Sequence, residues 1–136
     1  KAKPRLVAID APLSKPKEGP FREADLILRE YGTLPLNMRG MIQLLERGMR
    51  LKTKINFPII EVFPRATSLI LGYYAKGEQV LQKNLIGLGI RGDIERRLLS
   101  KDELDAISAA ITAQLFLSGK AKEVGGDEGK IVVPEV

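Results

Sequence analysis

Leu6-Val7-Ala8-Ile9-Asp10-Ala11-Pro12-Leu13 is the stretch on which the fold turns. Four consecutive apolar residues suit a short strand covered on both faces, the pattern of a parallel sheet in an α/β protein. The strand runs from Arg5 to Asp10 in this reading, ends on a carboxylate and is stopped by Pro12. Open α/β sheets hold their chemistry just beyond the carboxyl ends of their strands. Asp10 therefore reads either as a site residue or as the aspartate that opens an Asp-Ala-Pro turn.

Ala11 to Pro20 carries Pro12, Pro16, Gly19 and Pro20 and reads as loop. Phe21 to Tyr31 reads as a helix stopped at Gly32. Asn37 to Leu51 places Met38, Met41, Ile42, Leu45 and Met49 at helical spacing, the stripe of a packing face. Pro58 to Phe63 is a second strand, halted by Pro64, and Arg65 to Tyr74 a short helix. Helical pieces are expected at Glu78 to Asn84 and Asp93 to Leu99, on either side of a glycine-rich turn. Ser100 then caps a long helix, with Glu103 three residues on completing a capping box. Gly125 to Gly129 is a turn, and Lys130 to Val133 a last strand ended by Pro134. This alternation predicts an α/β fold with parallel central strands. Three strands make a small sheet, as if the chain were part of a larger architecture.

Composition narrows the chemistry. The 136 residues are 44% hydrophobic, enough for a core in one domain. Twenty-two Lys+Arg against 17 Asp+Glu leave a formal net charge of +5, a lean toward polyanionic partners such as nucleic acid. There is neither cysteine nor histidine. Thiolate and histidine catalysis, and zinc held by either residue, are thereby excluded. Carboxylates with a hard cation, Mg²⁺ or Mn²⁺, remain. The longest uncharged stretch, Ala106 to Gly119, is too short to span a bilayer, so no membrane partner is expected and the cytoplasm is the default location. The lack of cysteine and the many charges match a thermophile's bias.

Several residues stand out against this background. Asp102 lies in the first turn of its helix, where acids are common without function. Asp105 lies at the rim of the uncharged run, where an unpaired carboxylate is costly; its readings are a cation site or an ion pair with Arg22 or Arg65. Glu61 sits mid-strand, on the face opposite Ile60 and Val62, toward solvent or a site. Gly87-Leu88-Gly89-Ile90-Arg91-Gly92 matches G-x-G-x-x-G but lacks the preceding strand and long helix, so it reads as a turn with an exposed Arg91. Aromatics are only 5%, too few for a base-stacking platform.

Ala8-Ile9-Asp10-Ala11-Pro12-Leu13, Arg22-x-x-Asp25, Glu61-Val62-Phe63-Pro64-Arg65-Ala66, Asp102-Glu103-Leu104-Asp105-Ala106 and Gly129-Lys130-Ile131-Val132-Val133-Pro134 occur in this order. Together they resemble domain-of-unknown-function family four-two-nine, described as predicted nucleases of the ribonuclease H-like fold. The resemblance implies a single ribonuclease H-like domain over residues 1–136: a mixed central sheet with flanking helices, incomplete at its N-terminus because the fold begins with strands not present here. It implies a nuclease or phosphodiesterase that uses Mg²⁺ or Mn²⁺. Asp10 and Asp105 would be its catalytic carboxylates, Asp102 and Glu61 further metal ligands, and Arg22 and Arg65 phosphate contacts. Two other functions compete with it. One is a non-catalytic nucleic-acid- or nucleotide-binding module of the same fold. The other is an interaction protein whose exposed Met38–Met49 helix docks on a partner or on a second copy, as a homodimer.

Overall fold

Alternation along the strands sorts the side chains onto two faces, and the two faces take different helices. The computed structural model describes residues 3–136. Val7–Ile9 (β1), Ile59–Val62 (β2), Ala121–Gly126 (β3) and Gly129–Pro134 (β4) form one mixed sheet in the order β1-β2-β4-β3. β1, β2 and β4 are parallel, and β3 runs antiparallel to β4. The expected α/β class with parallel central strands is present. Among the described residues there are five helices: Glu23–Ile27 (α1), Arg39–Lys54 (α2), Pro64–Leu71 (α3), Glu78–Gly87 (α4) and Lys101–Leu117 (α5).

Ala8, Ile60, Val62 and Val132 point to one face, where Ala109, Ala113 and Phe116 of α5 cover them. Ile131 and Val133 point to the other, against Ala24 and Leu28 of the α1 segment. Val7, Ile9 and Ile59 share that second face with Ala11, Leu13 and Leu44. Away from the sheet, Tyr73, Leu81, Leu85, Ile94, Leu99 and Leu104 form a further cluster between α4 and α5. Burying a leucine as completely as Leu85 or Leu104 contributes roughly 1.5–3 kcal/mol. α5 thus belongs to two cores at once, which fixes it across one face of the sheet.

The contact between α3 and α5 is polar. Thr112 donates to the Ser108 carbonyl, so Thr67 must donate in the 2.7 Å bond to the Thr112 hydroxyl. Tyr73 and Ser108 are joined by a second buried hydroxyl pair at 2.6 Å. Satisfied hydroxyls of this kind hold two helices in one register.

Three elements differ from the sequence reading. β3 is a fourth strand in a segment read partly as a turn. Lys122, Glu123 and two glycines hide its strand character, but it needs to cover only one side of β4. The helix expected over Asp93–Leu99 is a single turn, Asp93–Glu95. Gln82 takes its place: the amide donates 2.7 Å bonds to the Ile94 and Arg97 carbonyls and accepts from the Leu99 N–H at 2.9 Å. The helix expected over Phe21–Tyr31 breaks at Leu28 into α1 and a single turn, ending at a left-handed Gly32.

The Gly87–Gly92 motif forms the end of α4 and a turn, with an exposed Arg91 guanidinium capping the Ile86 and Ile90 carbonyls. α2 buries only Leu45 and Gly48. Gly48 lies against the Pro12 carbonyl, so any side chain there would strike backbone. Met41 and Met49 are half-buried, while Met38 and Ile42 face solvent. No helix among the described residues is long and apolar enough to cross a membrane.

Candidate functional site

The loop after β1 and the first turn of α1 bring Arg22 under the sheet. Its guanidinium has five N–H donors, and the structure uses every one. Nε and one terminal nitrogen donate to the two oxygens of Asp25 at 2.9 and 3.0 Å. The terminal nitrogens reach Glu61 at 2.8 and 2.7 Å, and the fifth hydrogen goes to Ser14 at 3.1 Å. Glu61 also accepts from the Leu13 N–H at 2.9 Å. Arg22 is 1% exposed. Burial disfavours its charge, but the two carboxylates more than compensate and hold its pKa above the ordinary value.

This overturns two expectations. Arg22 has no donor left for a phosphate, and Glu61, placed in the register between Ile9 and Ile131, is engaged from the α1 face rather than held ready for a metal. The reason is electrostatic: a mid-strand carboxylate inside the core must find a cation, and the loop delivers one.

Asp10 and Asp105 stand differently. Asp10 lies one residue beyond β1, open to water but crowded by protein. It has no ion-pair partner among the described residues. Crowding by protein pushes its pKa up to about 6, and the carboxylates of Asp105, Asp102 and Glu61 push the same way. Lys101 opposes them but does not win.

Asp105 comes to Asp10 because α5 packs across β1. Its N-terminus is fixed firmly. Ser100 accepts from the Glu103 N–H while Glu103 accepts from the Ser100 N–H, the expected capping box. The Arg97 fork grips the same Glu103 at 2.6 and 3.1 Å and, with Ser100, holds its pKa near 2. One helical turn on, Asp105 is paired not with Arg22 or Arg65 but with Lys101, whose Nζ lies 2.9 Å from both its oxygens. Lys101 is 62% exposed, so solvent competes for this contact. The i,i+4 spacing of Lys101 and Asp105 was the signal for that pair.

Asp102 is exposed in the first turn, near enough to act on Asp10. Among the described residues, no three acidic side chains already form a group able to hold a metal ion. The expected four-carboxylate set thus divides: Asp105 and Asp102 lie near enough to act on the Asp10 charge, Asp105 is already paired with Lys101, and Glu61 is neutralised by Arg22.

Arg65 follows β2 in the first turn of α3. It is exposed, packs over the Tyr74 ring at 5.2 Å and pairs with no carboxylate among the described residues. It lines a cleft of about 300 Å³ together with Lys76, Lys101 and Asp105. The ends of two parallel strands therefore carry an uncompensated carboxylate and an uncompensated guanidinium, as the open-sheet rule leads one to expect.

The Asp10 shift has a consequence for stability. The folded protein holds a proton on Asp10 between the ordinary carboxylate value, 3.8, and about 6. Through that window the folded state binds more protons than the unfolded chain, so stability falls as pH rises and then levels. Asp10→Asn removes the effect. In urea unfolding the variant should match the parent near pH 4 and exceed it at pH 8, by about 1 kcal/mol after screening by water. A variant less stable at pH 8 would show that the carboxylate is favourably solvated.

No family model matches the chain, and no curated protein or solved structure matches it.

Proposed function

We propose that the chain hydrolyses phosphodiester bonds with a divalent cation, Mg²⁺ or Mn²⁺, held by Asp10 and Asp105 on a ribonuclease H-like arrangement of sheet and helices. The observation that carries this reading is the Asp10 carboxylate at a strand end, which has no ion-pair partner among the described residues. Its charge is opposed first by the crowding of protein and then by Asp105, with Lys101 only partly offsetting them. A cation there supplies what Lys101 leaves uncompensated. The residues fit such an ion. Asp10 has both oxygens available, and Asp105 gives up only an exposed lysine to reach it. Asp102 would contribute from farther out.

When bound, the ion would activate a water and neutralise charge on the leaving oxygen. The chain's own part is separate. Arg65 and Lys101 in the Asp105 cleft hold the phosphate, and the capping box fixes the start of the helix that carries Asp105. A second reading, a nucleotide-binding module without catalysis, draws on the Lys101–Asp105 contact, which leaves Asp10 as the one unengaged member of the pair.

Calorimetric Mn²⁺ titration at pH 8 separates the two. The parent should bind, and Asp10→Asn/Asp105→Asn should lose at least about tenfold in affinity, or about 1.4 kcal/mol. Equal affinities in parent and variant would refute the metal site and leave the binding module.

A further inference from the structure

A cavity of about 190 Å³ opens between α2, the loop at Gly32–Leu36 and the carboxyl ends of β1 and β2. Leu34, Leu36, Met41, Leu44 and Phe63 make its walls apolar. Arg22 and Glu61 lie at its back with their charges spent on each other. Sites for drug-sized molecules begin near ~300 Å³, so this one suits a single ring system.

Two neighbours say what the ring is attached to. Asp10 itself lines the cavity. Arg65 packs against Gly32 on the rim, where an added Cβ would meet its Nε at 3.3 Å, and the same Arg65 lines the cleft that holds Lys101 and Asp105. The apolar slot thus has one carboxylate, Asp10, in its wall and a guanidinium against Gly32 at its rim. A nucleotide, a flat ring joined through a sugar to a phosphate, matches an apolar slot with a cation at its mouth. Few aromatics argue against a stacked single strand, but a slot for one base needs only the single ring that Phe63 places in its wall.

We infer that this cavity binds one nucleobase of the substrate, so that the phosphate attached to that nucleotide rests at Arg65 beside Asp10. The inference rests on the hydrolase reading for the role of the carboxylates, and it makes the substrate a nucleotide or nucleic acid rather than a small phosphoester.

The test is metal-free binding, with EDTA present, of AMP, ribose 5-phosphate and n-octyl phosphate to the whole chain. AMP should bind about tenfold or more tighter than ribose 5-phosphate, the scale of one stacked base. Leu34→Asp, at an exposed rim position where folding is not at stake, should erase that margin, its added charge weakening the two phosphates alike. Met41→Gln should reduce it, and Arg65→Met should weaken both ligands alike. Equal binding of AMP and ribose 5-phosphate would overturn the inference, as would an AMP margin that survives Leu34→Asp. Tighter binding of octyl phosphate than of AMP would overturn it too, in favour of an aliphatic occupant. Failure here with Mn²⁺ binding intact removes the base site alone. A base margin without Mn²⁺ binding removes the hydrolase alone.

Discussion

Arg22→Met should cost about 3–5 kcal/mol of folding stability, because it leaves two carboxylates buried without their cation. That is a large share of the ~5–15 kcal/mol by which a domain of this size is stable. Asp25 and Glu61 are 3% and 6% exposed, and between them they account for four of the five guanidinium bonds. The loss should grow with pH. Burial without a cation is costly to a carboxylate only while it is charged, so the variant's stability falls as pH rises above the ordinary carboxylate range.

A companion variant locates the cause. Arg22→Met/Asp25→Asn/Glu61→Gln keeps the shapes but buries no charge, and it should recover part of the stability and lose the added pH dependence. Urea unfolding at pH 4 and pH 8 measures both. A loss below about 1 kcal/mol for Arg22→Met would mean that the guanidinium is not a strut, and would return it to the phosphate contacts.

Arg22 also shows where sequence reading stops. Glu61 was legible as a mid-strand carboxylate directed to solvent or to a site, and Arg22-x-x-Asp25 was visible as a pattern. What could not be seen was that one residue answers the other. The loop from Ala11 to Pro20 decides that, by folding back until Ser14 donates to the Glu128 carbonyl of the β3–β4 turn and Lys17 and Glu23 bond that residue's side chain.

β1, β2 and the Ser100–Glu103 cap were legible because each is written in consecutive residues. β3 was not, because its strand character comes from β4. The two-residue turn at Asp127-Glu128, between Gly126 and Gly129, was nonetheless a usable sign. The nearness of Asp105 to Asp10, close enough to act on its charge, was legible only as an expectation. It depends on α5 serving two cores, which no local pattern encodes.

The sharpest expected outcome at the site joins stability to activity. With saturating Mn²⁺ at pH 8, Asp10→Asn should lower hydrolysis of an activated phosphodiester by about a thousandfold, the upper scale for removing one preorganised electrostatic group. Asp105→Asn should fall comparably, since each carboxylate alone leaves the cation half held. Yet in metal-free buffer at that pH Asp10→Asn should be the more stable protein, because the crowding of protein and the neighbouring carboxylates oppose the Asp10 charge. A residue that costs stability and supplies activity is held for function, since a purely structural carboxylate would lose both on substitution. Arg22→Met gives the contrasting case, lower stability with any loss of rate following the unfolded fraction. If Asp10→Asn proves more stable and equally active, the strain at the end of β1 has no catalytic use. The carboxylate pair would then have to be read as a site that binds without cleaving.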